Sequence, residues 1–167
     1  MKQEEMNISQ LMAFALAQFI DQGRNVRSVT PSGGCMYNPK VDDSLVNPFS
    51  GGCLIGILID DVSLKTAMDD FGDTFSDMLQ NITDGEYIKD GQGDNTIIER
   101  LPKILVAHSD IATKFQNLHD TSTFWNYDDT LLNVEGTSYL IELISDYEEL
   151  DMDDFDDIFD KLPEAIY

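Results

Sequence analysis

The chain holds two cysteines, Cys35 and Cys53, and two histidines, His108 and His119. Cys53 follows Gly51 and Gly52, and His108 or His119 with Asp120 lies downstream, which is the chain order of a papain-like cysteine hydrolase. That chemistry requires a thiolate near a helix N-terminus and a histidine within hydrogen-bond reach to hold the proton. Cys53, His119 and Asp120 are the residues that would carry it. Chain order alone is a weak signal, and Cys53 opens the most apolar run of the sequence, Cys53 to Ile59. Cysteine is among the most buried residue types, so an inert core thiol is the favoured reading. Cys35, Cys53, His108 and His119 also have the composition of a tetrahedral Cys2His2 zinc site, but without the paired short spacings of such sites.

The carboxylates are the second candidate group. Nine of the fifteen residues from Asp146 to Asp160 are acidic: Asp146, Glu148, Glu149, Asp151, Asp153, Asp154, Asp156, Asp157 and Asp160. Leu150, Met152, Phe155, Ile158, Phe159 and Leu162 are interleaved with them, and Phe155, Ile158, Phe159 and Leu162 make one helical stripe. A stripe of this kind docks on a core, with its carboxylates facing water. Spaced along a rigid face, the same carboxylates could imitate the charge rows of a nucleic-acid backbone. Asp84 to Asp94 lacks the alternating oxygen ligands of an EF-hand loop. The adjacent pairs Asp60-Asp61, Asp69-Asp70, Asp128-Asp129, Asp153-Asp154 and Asp156-Asp157 would diverge by about 100 degrees on a helix rather than converge on one metal. Phosphate-binding loops, dinucleotide fingerprints and serine elbows are absent. Enzymatic activity is not positively indicated, a binding protein is favoured over an enzyme, and no cofactor is expected.

The elements that would position these residues are mostly helical. Ile8, Leu11, Met12, Ala15, Leu16, Phe19 and Ile20 recur at spacings of three and four, with Gly23 as the stop. Arg24 to Gly52 holds three of the five prolines and four glycines, which predicts loop with a short extended element at Cys35-Met36-Tyr37. The run Cys53 to Ile59 is short enough for a buried strand or a buried helical turn, and periodicity does not separate the two. Helices follow over Leu64 to Phe71 and Phe75 to Ile82, then a polar loop from Thr83 to Asn95. Thr96 caps a helix that Pro102 kinks or shortens, Ser109 caps one over Ile111 to Leu118, and Trp125 and Tyr127 fall in an irregular stretch. Another helix begins near Thr137 or Ser138 and runs to Tyr147. The predicted core comprises Leu11, Phe14, Leu16, Phe19, Ile55, Leu58, Phe75, Leu79, Leu118 and Trp125. The expected fold class is α+β, predominantly α-helical. It is read as a single compact domain over residues 1–167, with a small β hairpin or strand element near the cysteines and an acidic amphipathic helix over 146–162 packed on it.

Composition narrows the partners. With 32 acidic and 10 basic side chains, the formal charge is -22 and the pI near 4.1. Nucleic-acid affinity comes largely from Lys and Arg neutralising phosphate, so direct nucleic-acid binding is not expected. An acidic surface favours a protein partner with a basic one, where complementary potentials speed association. The first apolar run follows an acidic start and lacks a signal-peptide pattern, and no segment reaches the length of a membrane span. The expected location is the cytoplasm, where both cysteines stay reduced.

Cys35-Met36-Tyr37, followed after a loop by Gly52-Cys53-Leu54-Ile55-Gly56-Ile57-Leu58-Ile59, resembles a group of small phage and prophage proteins of uncharacterised function. In that group a cysteine-x-tyrosine element precedes a cysteine, two aliphatic residues, glycine and a further aliphatic run. Gln22-Gly23-Arg24 and Phe115-Gln116-Asn117-Leu118-His119-Asp120 with Trp125 extend the similarity, in patches from roughly residue 8 to residue 125. Asn38 in place of a basic residue, a longer loop from Pro39 to Gly51, and the acidic C-terminus depart from the group. The resemblance implies a phage-type accessory protein acting in the host cytoplasm. Together with the charge it suggests binding to, and modulation or inhibition of, a host protein with a basic surface. The alternative is a Cys-His hydrolase or a small zinc-binding protein using Cys53 and His119.

Overall fold

The computed structural model describes residues 2–20, 54–69, 74–83, 88–89, 92–93, 96–126 and 131–162. The chain order of the helices is α1 (Ile8–Ala17), α2 (Val62–Asp69), α3 (Phe75–Thr83), α4 (Thr96–Arg100), α5 (Lys103–Ala107), α6 (Ser109–Asp120), α7 (Val134–Asp146) and α8 (Asp156–Phe159). Single 3-10 turns lie at Gln3–Glu5, Gly56–Leu58, Ser122–Phe124 and Met152–Phe155.

α1 starts where Asn7 closes a reciprocal cap. Its Oδ1 accepts from the Gln10 backbone N–H at 2.8 Å, and its own N–H donates to Gln10 Oε1 at 3.1 Å. Pro102 divides the span predicted after Thr96 into α4 and α5, because a proline lacks the N–H and disfavours helical geometry in the residue before it. α6 starts at Ser109 itself, one residue earlier than a Ser109 cap implies; His108 occupies the cap position without a side-chain cap. α7 starts at Val134, three residues ahead of Thr137, because Asn133 Oδ1 accepts from the Gly136 N–H at 2.9 Å.

α6 is the hub, packing against α1, α3, α5 and α7. It also completes the N-terminus of α3. The buried Phe75 N–H donates to Gln116 Oε1 at 3.0 Å, and the Ser76 N–H donates to Thr113 Oγ1 at 2.8 Å. Two of the four unpaired amides at a helix start are thereby satisfied from a neighbouring helix. The buried apolar residues form one contiguous cluster from Ile8 to Ile158. Of the ten predicted core residues, Phe14 is only partly buried and the rest lie inside.

The α+β assignment is corrected. Among the described residues no strand lies near the cysteines. Leu54 and Ile55 form a turn running into the 3-10 turn Gly56–Leu58, with the Leu58 N–H donating to the Ile55 carbonyl at 3.0 Å. The extended pairing that is described amounts to Ile88–Lys89 against Gln92–Gly93 and an isolated bridge from Trp125 to Leu132. Neither builds a sheet layer, and the described residues are predominantly helical. Leu54, Ile55, Leu58 and Ile59 are all buried, so the run supplies core without supplying a strand. The expected hairpin at Cys35-Met36-Tyr37 lies outside the described residues, as does Cys53.

Candidate functional site

The acidic segment is not the single helix predicted over 146–162. α7 ends at Asp146, Tyr147 is extended, a turn follows, and a 3-10 turn leads into the one-turn helix α8. Two local causes break it. A continuous helix would set Glu149 against Asp153 and Asp153 against Asp157 four residues apart, where like charges repel. Asp151 instead turns its Oδ1 onto the Asp153 N–H at 3.0 Å, a side-chain-to-backbone bond that competes with the helix.

Three apolar residues hold the segment down. Leu150, Phe155 and Ile158 are buried, and the Phe155 ring stacks on Phe115 of α6 with centroids 5.7 Å apart. Burying a phenylalanine contributes about 1.5–3 kcal/mol, which offsets part of the roughly 1–2 kcal/mol per residue lost in ordering the chain. A polar clamp adds to this. The Asp151 N–H donates to Ser9 Oγ at 2.9 Å, and that hydroxyl donates in turn to the Asp151 carbonyl at 3.4 Å, tying the segment to α1.

The carboxylates point outward. Asp146, Glu148, Glu149, Asp151, Asp153, Asp156, Asp157 and Asp160 are exposed, and Asp154 is half-buried. Met152, 37% exposed, stands between Asp151 and Asp153. No lysine or arginine occurs between Lys114 and Lys161 in the sequence. The Tyr147 phenol registers the resulting field: burial raises its pKa first, and Asp110 and Asp146 push it further.

The hydrolase and zinc candidates fare differently. His119 is fully buried, its ring 4.1 Å from that of Phe19 and edge-on to Trp125 at 6.2 Å, with Nδ1 3.1 Å from Asp120 Oδ1. A histidine enclosed by two aromatic rings is placed to pack rather than to exchange protons with a substrate. His108 precedes the first residue of α6 and His119 lies near its end. Ten helical residues lie between them, an offset of about 16 Å along the axis. Two imidazoles with Zn–N bonds of about 2 Å do not span that distance, so the pair does not share one ion. Among the described residues no cluster of three or more His, Cys, Asp or Glu is arranged to hold a metal. Cys35 and Cys53 lie outside those residues.

A second site was not read from the sequence. The 3-10 turn Gln3–Glu5, α1, the turn before α2 and the α4–α5 junction enclose a recess of about 600 Å3. Leu11, Leu58, Ile59 and Leu64 line it, and Glu4, Asp60, Asp61, Arg100 and Lys103 lie around them. Asp61, set aside with the other adjacent acidic pairs as unable to converge on one metal, has a definite role here. Its Oδ1 caps α2 through the Leu64 N–H at 3.1 Å, and its Oδ2 pairs with Arg100 at 2.6 Å. The signal available in the sequence was Asp61 directly ahead of the helical pattern that begins at Ser63.

No family model, curated protein or solved structure matches the chain. Among the described residues no helix is long and apolar enough to cross a membrane.

Proposed function

We propose that this is a phage-type accessory protein that binds a host protein at that partner's basic surface, occupying with its own acidic C-terminal segment a site that otherwise holds nucleic-acid phosphates. The observation that carries the reading is the presentation of the carboxylates. Nine acidic groups within fifteen residues are fixed to the core by Leu150, Phe155 and Ile158 and by the Ser9 clamp. A partner therefore meets charges already in place and does not have to order a flexible tail, which lowers the entropic cost of association. Long-range attraction from a chain of charge -22 speeds the encounter. The phage setting rests on the resemblance around Cys35 to Ile59.

The test is capture from bacterial host lysate at low and high salt, followed by competition with duplex DNA for the captured partner. The native protein is compared with a variant carrying Asp153→Asn, Asp154→Asn, Asp156→Asn and Asp157→Asn. A partner lost in the variant, released by high salt and displaced by DNA is the expected result. A partner that the variant retains, or that holds DNA and this protein together, would sink the reading.

A further inference from the structure

The recess between α1, α2 and the α4–α5 junction belongs to neither the acidic segment nor the cysteines. Its volume of about 600 Å3 falls within the roughly 300–1,000 Å3 typical of small-molecule sites. Leu11, Leu58, Ile59 and Leu64 are each at most 5% exposed, so the floor is apolar and set by the core beneath it.

Charge at the mouth selects among ligands. Arg100 is committed: one guanidinium nitrogen donates to Asp61 Oδ2 at 2.6 Å and to Ser63 Oγ at 2.7 Å. Once that pair is set aside, the charged groups among the described lining residues are two exposed carboxylates, Glu4 and Asp60, and one exposed cation, Lys103. The local balance is negative inside a molecule of formal charge -22. An anionic head group would enter against that field, and a cationic one with it.

We propose that this recess binds a small amphipathic amine, its apolar chain or ring lying on Leu11, Leu58 and Leu64 and its ammonium group held by Asp60 and Glu4. The site is independent of the acidic C-terminal segment, and binding there does not require a protein partner. Octylamine below its aggregation concentration is the probe, followed by methyl-resolved NMR of the full chain in about 0.15 M salt, where distant charges are screened. Saturable shifts confined to the methyls of Leu11, Leu58, Ile59, Leu64 and Ile104 are expected. Octanol should bind about tenfold more weakly and octanoate more weakly still. Asp60→Asn combined with Glu4→Gln, both surface changes, should bring octylamine down to the affinity of octanol without altering octanol binding. Octanoate binding as tightly as octylamine, octanol matching octylamine in the native protein, or shifts confined to the acidic C-terminal segment as with ethylamine would each overturn the assignment.

Discussion

The Asp61 carboxylate makes three contacts at once: the Arg100 guanidinium, the Ser63 hydroxyl at 2.8 Å and the Leu64 N–H at the start of α2. Arg100 first, then Ser63 and the Leu64 N–H, hold its pKa well below the usual carboxylate range. Every one of these contacts favours the charged form. The group binds a proton more readily in the unfolded chain than in the native one, so its stabilising effect is complete above about pH 4 and fades as pH falls toward the lower native value. Carboxyl NMR should show Asp61 still ionised at pH 3, and Arg100→Gln should bring its titration back toward the ordinary range. An Asp61 that titrates normally in the native protein would show that the pair does not persist in solution. Residue-level roles were the hardest to read from sequence. Asp61 is one of many aspartates until Arg100, 39 positions away, arrives beside it. His119 is a candidate base until Phe19 and Trp125 close over it.

At the scale of elements, sequence periodicity located the helices well, because an apolar stripe is needed wherever a helix meets the core. Their boundaries depended on side-chain caps and on proline. Asn133 moved the start of α7 forward, donating from Nδ2 to the Thr123 and Trp125 carbonyls at 2.7 and 3.0 Å while capping Gly136. Cys53 to Ile59 stayed ambiguous because seven apolar residues carry no period that separates a strand from a helical turn. The acidic segment misled for the opposite reason: a helical stripe was present, and Asp151 and like-charge repulsion prevented one continuous helix. The junction of α7 with the Ser122–Phe124 turn offers a direct test. A Cβ at Gly136 would sit 2.1 Å from the Phe124 carbonyl oxygen, a backbone atom that cannot swing aside. Gly136→Ala should therefore destabilise the fold by about 1–3 kcal/mol, although alanine is the better helix former. Urea denaturation measures it, and a neutral or stabilising result would mean that α7 does not approach the turn this closely.

For the molecule as a whole, the charge could be read completely from the sequence, since a sum of charges needs no fold. Where the charge sits could not. The fold gathers the carboxylates of the last segment on the outside of a compact body, and compaction brings like charges together, so self-repulsion opposes folding. Salt acts on this term directly, shortening the screening length from about 30 Å at 0.01 M to about 10 Å at 0.1 M. The melting temperature should accordingly rise with sodium chloride over that interval. The variant with Asp153, Asp154, Asp156 and Asp157 changed to Asn should melt higher than the native protein at low salt and respond less to added salt. For a chain of this length, each 1 kcal/mol of relieved repulsion corresponds to roughly 2–4 °C, which scanning calorimetry resolves. A native protein whose melting temperature falls with salt would show that attractive ion pairs, of which Arg100–Asp61 is the model, outweigh the repulsion among the carboxylates. On the proposed function, a charge density maintained against its own repulsion is what a basic partner would neutralise on binding.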